Sequence, residues 1–347
     1  MRIEELWQEM EAEAQTSNTS AWLTRFALSQ SSQPLLVAME TSAKRRALLL
    51  PLPRVAIPGR RKWPRCRGLE IFSVLINSQS HLGVRLVDSA CADVFAALAE
   101  DVAPRVAAAP DSRMAAAALL GRLRRWQKFL AAGSVGLSPE QQRGLYGELH
   151  TLHGHLIPGL GAEAAVTGWR APRRTHQDFQ VAAGAVEVKT TTAKQPQSVR
   201  VTSERQLDGS GIPALFLHVV VLDEREVETD HPAAGESLPD VVLALRQQLQ
   251  TTAAAAEVFE DRLLDVGYLE ADAPRYENRR FTLRREHTFR VRPGFPRLVE
   301  ANLPGGVGDV SYALSLAACE SFTTSVDDML AKLRLPVALR RRSQIQT

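Results

Sequence analysis

The densest apolar run in the chain is Pro213-Ala214-Leu215-Phe216-Leu217-His218-Val219-Val220-Val221-Leu222. Nearly continuous hydrophobicity over that span predicts a strand buried on both faces. Upstream, Leu145, Leu149, Leu152 and Leu156 recur at helical spacing, with Glu148 beside the stripe. Ser138-Pro139-Glu140-Gln141 marks the start of that helix, with Ser as N-cap, Pro at the first position and Gln at the third. Pro158-Gly159 is expected to end it, and Ala165-Val166-Thr167-Gly168-Trp169 to form a short strand. In Val186-Glu187-Val188-Lys189 the pattern alternates. The valines point to a core, and Glu187 and Lys189 share the other face. Ala182-Ala183-Gly184-Ala185 is small enough to turn the chain and bring Asp178 back beside Glu187. Ser203 to Leu207 reads as a brief helix.

The flanks are also patterned. Ile3 to about Ala14 predicts an amphipathic helix. Pro34–Met39 with Arg46–Pro51, and Gly68–Ile76 with His81–Val87, predict two strand pairs. Helices follow over Asp88 to about Ala109 and from the Asp111-Ser112 cap to Leu130. Ala131-Ala132-Gly133-Ser134 is small and flexible, and suits a domain boundary. After it, one long helical stretch from Leu238-Pro239 through Phe259 is expected. Separate strands at Arg280–Leu283 and His287–Val291, a loop at Leu303–Gly308, a short apolar piece at Tyr312–Leu316 and a helix from Val326 to Leu333 complete it. The expected division is 1–132 as an α/β accessory domain, 133–225 as a core, 226–335 as an α+β extension and 336–347 as a basic flexible tail.

Composition narrows the function classes. At 347 residues, 45% hydrophobic and 23% charged, the chain fits a soluble globular protein of two or three domains. No apolar run approaches the roughly 20 residues of a membrane span. The N-terminus lacks an apolar leader segment, and a cytoplasmic location is expected. Three dispersed cysteines argue against a disulfide framework or a cysteine-based zinc site. Net charge is only +3, so a nucleic-acid surface must come from local clusters. Arg170, Arg173 and Arg174 lie in the segment leading to Asp178, and Arg60-Arg61-Lys62 precedes Trp63. Both clusters are candidate phosphate contacts.

Asp178 and Glu187 brought together repel unless a cation lies between them, and a hard dication such as Mg²⁺ suits oxygen ligands. The alternative is a surface hairpin whose ion pair contributes under ~1 kcal/mol. On the first reading, Asp178, Glu187 and the Val188 carbonyl hold Mg²⁺, with Mn²⁺ able to substitute, and Lys189 positions the attacking water or offsets transition-state charge. Glu148 either completes the metal shell or is an exposed helical glutamate. His150 and His153 share a helical face, but without a third ligand at metal-like spacing they read as a solvated helix end. His218 reads as a satisfied core histidine.

The order of helix, three strands, helix and strand, with Asp178 followed by Glu187-Val188-Lys189, resembles the core of the PD-(D/E)XK nuclease superfamily. The Leu145-to-Leu149 helix, His176-Gln177-Asp178-Phe179, Val186 to Thr191 and Arg205-Gln206-Leu207-Asp208 resemble more narrowly a bacterial family of PD-(D/E)XK motif proteins. That family is of unknown function and is found among restriction-type phage-defence genes. His176-Gln177 stands where the superfamily name has proline. The resemblance implies an α/β (α+β) restriction-endonuclease-like αβββαβ core and a DNA endonuclease serving a restriction or defence system with protein partners. In relatives a glutamine at a similar place touches the metal-bound water or a phosphate, which is one reading of Gln206; the other, slightly favoured, is a polar residue opening the brief helix. A homodimer would let both strands be cut. A non-cleaving DNA-binding or assembly subunit, and a nuclease acting on RNA, remain open alternatives.

Overall fold

The computed structural model describes residues 3–16, 21–28, 33–59, 63–64, 68–131, 136–170, 176–227 and 235–334. The chain forms two units, Met1–Val135 and Gly136–Thr347.

The first unit holds α1 (Ile3–Thr16), β1 (Trp22–Phe26), β2 (Leu36–Glu40), β3 (Arg45–Pro51), β4 (Leu69–Ile76), β5 (Gln79–Leu86), α2 (Ala92–Ala107) and α3 (Ser112–Ala131). Its strands form one antiparallel sheet in the order β1-β2-β3-β5-β4. Both expected strand pairs are present, and β1 adds an edge strand that the short, half-polar Trp22–Phe26 did not signal. Asp111 caps α3 by accepting from the Met114 amide at 2.8 Å. Trp7 of α1 is fully buried, donates to the Ala38 carbonyl and stacks on Phe95 of α2. Arg46, one of the basic residues in this unit, is bound by Glu4 and Glu11.

The second unit opens with α4 (Pro139–Thr151), a π turn (Leu152–Leu156), α5 (Ile157–Leu160) and α6 (Ala162–Gly168). The capping box is complete: Ser138 Oγ accepts from the Gln141 amide, and the Gln141 side chain accepts from the Ser138 amide. Then come β6 (Phe179–Val181), β7 (Gly184–Thr191), β8 (Ser198–Val201), β9 (Leu215–Glu226), α7 (Leu238–Gln248), α8 (Ala253–Asp265), α9 (Ala273–Tyr276), β10 (Arg279–Val291), β11 (Tyr312–Ser315), β12 (Thr323–Thr324) and α10 (Val326–Leu333). The main sheet runs β12-β10-β9-β7-β6, and only β7–β9 is parallel. The β8 strand pairs with β11 in a separate two-stranded sheet.

Strand β9 is central and buried on both faces. Phe216, Val220 and Leu222 pack with α4 and α6–α8, while Leu215, Leu217, Val219 and Val221 pack with β8, β11 and Phe289. Each such side chain contributes about 1.5–3 kcal/mol by leaving water. Helix α4 approaches β7 closely because position 147 is glycine: a Cβ there would lie 2.2 Å from Thr190 Cγ2. This contact sets Glu148 and His150 against the sheet.

Several local expectations are corrected. The helix does not stop at Pro158-Gly159, since Pro158 occupies the first turn of α5, where its missing N–H costs little. The break comes at Gly161, whose φ of +87° suits glycine. Ala165–Trp169 is not a strand, because the alanine-rich Ala162–Gly168 is helical and only Trp169 is extended, bridging to Phe179. Ser203–Leu207 forms consecutive turns instead of a helix. The long helix after Leu238 is two helices, interrupted at the β-branched pair Thr251-Thr252. The two strands expected between Arg280 and Val291 are one, β10, whose alternation slips at a bulge between Leu283 and Arg285. Within this unit, segments 133–225 and 226–335 share a sheet, because β10 pairs along the whole of β9.

Candidate active site

Asp178 sits immediately before β6, and Glu187 and Lys189 lie on β7. The β6–β7 hairpin turns at Ala182-Ala183 and pairs Phe179 with Val186. Asp178 is thereby carried beside β7, and its Oδ2 accepts from the Val188 amide at 2.8 Å. The N–H and C=O of one residue in an extended strand point to the same edge, so the Val188 carbonyl also faces the Asp178 side.

Glu187 is completely buried and is held by the Lys189 ammonium and, more weakly, by the Asp178 backbone. Its close charged contact is the Lys189 ammonium, 2.7 Å from Oε1. Lys189 also donates to Gln206 Oε1 at 3.1 Å. That oxygen further accepts from the Thr202 amide at 2.9 Å and its hydroxyl at 3.2 Å, which holds the Gln206 carbonyl toward the lysine. Glu148 reaches the group from α4, with its Oε2 fixed by the Trp169 indole N–H at 2.7 Å.

The electrostatics describe carboxylates short of positive charge. Burial, and then the neighbouring Asp178, push Glu187 up to about 8. Burial raises Asp178 and raises Glu148 well above the ordinary range, with Asp178 adding to the latter. Burial opposes the charge on Lys189, but Glu187 and Asp178 outweigh it and hold the ammonium. One lysine facing three carboxyl groups leaves room for a further cation. Glu187, the Asp178 and Glu148 carboxyl groups coupled to it and the adjacent carbonyl are oxygen donors, the chemistry that suits a hard dication.

Of the sequence candidates, Asp178, Glu187, Lys189, Glu148 and Gln206 are brought together. Arg170 adjoins them through its backbone, its amide donating to the Asp178 carbonyl at 2.8 Å, and its Nε is buried without a partner among the described residues. Arg60, Arg61, Lys62, Arg173 and Arg174 lie outside the described residues.

Two groups of contacts escaped the sequence reading. Buried Gln177 donates to the carbonyls of Arg205 and Gln206 at 3.0 and 3.2 Å, and accepts from Gln180. It ties the approach to Asp178 to the turn that carries Gln206. The other group corrects the solvated helix end: His150 and His155 converge on Glu286 of β10. The π turn places them together at a spacing of five, and His153 does not join them.

Among the described residues, no helix is long and apolar enough to cross a membrane. No curated protein and no solved structure is significantly similar to this chain. A family model described as "Putative PD-(D/E)XK family member, (DUF4420)" matches residues 3–317, which include every element of the site. The chain belongs to this family, whose description suggests a nuclease-like activity.

Proposed function

We propose that this chain is a divalent-metal-dependent nuclease that hydrolyses phosphodiester bonds within DNA. Asp178, Glu187, Glu148 and the Val188 carbonyl would hold the metal, with Mg²⁺ the expected ion and Mn²⁺ a substitute. The observation that carries the reading is Glu187: a fully buried carboxyl group that burial and the neighbouring Asp178 push up to about 8 even with the Lys189 ammonium 2.7 Å away. One ammonium beside three carboxyl groups leaves their burial incompletely compensated, a cost that a further bound cation would offset.

When bound, a divalent ion supplies Lewis acidity to the phosphate and acidifies the attacking water. The chain's own residues do the rest. Asp178, fixed by the Val188 amide, keeps its second oxygen for the ion. The Trp169 indole orients Glu148 in the same way. Lys189 orients the water nucleophile and offsets negative charge building on the phosphoryl oxygens, and Gln206 holds the ammonium on the reacting side. An open groove of about 570 Å³ is lined by Thr190–Ala193, Ser198–Arg200, Ser311–Ala313 and Arg143, with none of Asp178, Glu187, Lys189 or Glu148 in its lining. Arg170, Arg200 and Arg143, with Arg173, Arg174 and the Arg60-Arg61-Lys62 cluster, would meet the phosphate backbone.

The family resemblance favours a role in a restriction or phage-defence system with protein partners, in the cytoplasm, with a homodimer as the arrangement for cutting both strands. The test is incubation of the purified chain with supercoiled plasmid, and separately with structured RNA, in Mg²⁺, Mn²⁺ or EDTA. Metal-dependent nicking of the plasmid is expected. Cleavage confined to RNA would move the substrate to that polymer. Salt-sensitive DNA binding without cleavage by the chain or its complexes would favour a non-cleaving assembly subunit.

A further inference from the structure

A second, chemically different cluster lies on the opposite face of the β7–β9 sheet. His218 pairs in register with Val188, and side chains alternate, so His218 points away from Glu187 and Lys189. Its Nε2 is 3.3 Å from Glu286 Oε1. The same oxygen is 3.2 Å from His150 Nε2 and 2.9 Å from His155 Nε2. Three imidazole nitrogens therefore converge on one carboxylate oxygen, more donors than its two lone pairs accept well.

We propose that His150, His155 and Glu286 form a site for a borderline transition-metal dication of the Zn²⁺ class. The ligand atoms of these three residues lie within 4.8 Å of one another. Ligands about 2.0–2.1 Å from a tetrahedral ion stand about 3.3 Å apart, close to the contacts here. Two imidazoles and a carboxylate suit Zn²⁺ or Co²⁺ and disfavour Mg²⁺, which prefers oxygen. Three protein ligands leave one position for water.

The surroundings resemble those of built metal sites. The rings of His150 and His155 stand edge to face at 88°, and those of His155 and His218 at 81°. Tyr146 stacks on His150 at 6.0 Å and limits its rotation. His218 has no exposure, and its Nδ1 is 2.9 Å from Thr288 Oγ1, so it is locked where it can orient Glu286. The π turn has a role here as well, because a regular α-helix would separate residues five apart by well over a turn. An ion bound here joins the α4 end of the helical segment to β10. It would brace the helix that presents Glu148 against the sheet that presents Glu187.

The experiment is equilibrium dialysis of the full chain against Zn²⁺ or Co²⁺ in excess Mg²⁺, with bound metal quantified and the Co²⁺ ligand-field spectrum recorded. One equivalent is expected in the wild type and also in an Asp178→Asn/Glu187→Gln double variant, which separates this site from the proposed nuclease site. His155→Ala is expected to weaken binding about 100-fold or more, and His218→Gln about 10- to 100-fold, as loss of an orienting partner does. His150→Gln, at a half-buried position, repeats the ligand test if His155→Ala does not fold. The proposal is overturned if the wild type retains no Zn²⁺. It is overturned equally if a folded His155 or His150 variant binds as tightly as wild type, or if retention disappears with Asp178 and Glu187.

Discussion

The two polar clusters flanking β7 and β9 are built on opposite principles. On one face, carboxylates outnumber cations among the described residues, and buried Glu187 meets Lys189 at close range. On the other, three histidines surround one glutamate. Burial opposes the charge of Glu286 too, but contacts from His150, His155 and His218 outweigh it and hold the carboxyl well below its ordinary range. The first cluster has one ammonium for three carboxyl groups, and its oxygen donors would suit a hard ion. The second is rich in nitrogen and would suit a softer one. The same sheet thus offers two sites that different metals should distinguish.

The largest break in this comparison is expected from Lys189→Ala. It should lower cleavage by at least about 100-fold, as loss of a transition-state donor does, while leaving Zn²⁺ retention unchanged. Cleavage rates and metal content of one preparation check both halves. Gly147→Ala should disturb both faces together, because its Cβ would collide with Thr190 and push α4, with Glu148 and His150, from β7. A loss of about 1–3 kcal/mol in denaturant unfolding is expected, with nuclease activity and Zn²⁺ affinity falling in parallel.

The pH response should differ between the faces. The folded pKa of Glu187 lies above its unfolded value, at about 8. Without metal, the stability it contributes is therefore present at acid pH and is lost as pH rises through about 8. A divalent ion requires the ionised form and offsets that loss. The rise in Tm on adding Mg²⁺ should be larger at about pH 8.5 than at about pH 6, and Glu187→Gln should abolish the difference. The smallest effect is expected from Ser138→Ala, which removes the α4 cap and should cost about 1 kcal/mol in thermal unfolding without altering metal preference.

The two faces also differ in how readily they could be read from the chain. Asp178, Glu187 and Lys189 fall within twelve residues on a tight hairpin, where strand alternation alone puts the charged pair on one face. Ser138 and the leucine stripe announced α4 equally plainly, and the apolar run from Leu215 announced β9. The histidine cluster depends on features that no local pattern carries. Glu286 is 131 residues from His155, and the β10 bulge that breaks the alternation also divided that strand in the sequence reading. The π turn replaced the expected His150–His153 face with His150–His155. Gln177 shows the same limit at the Glu187 face, since its contacts arise only when the Gln206 turn folds against it. Short-range pattern reveals groups that share a hairpin, and it misses groups assembled by packing.

The central claim is that Asp178, Glu187 and Lys189 form one metal-dependent catalytic unit. Its most direct test is plasmid nicking in Mg²⁺ by wild type, Glu187→Gln and Lys189→Ala, with Mg²⁺ binding to each measured by calorimetry. The account predicts nicking only by wild type, with Mg²⁺ binding lost in Glu187→Gln and retained in Lys189→Ala. Undiminished nicking by either folded variant would contradict it.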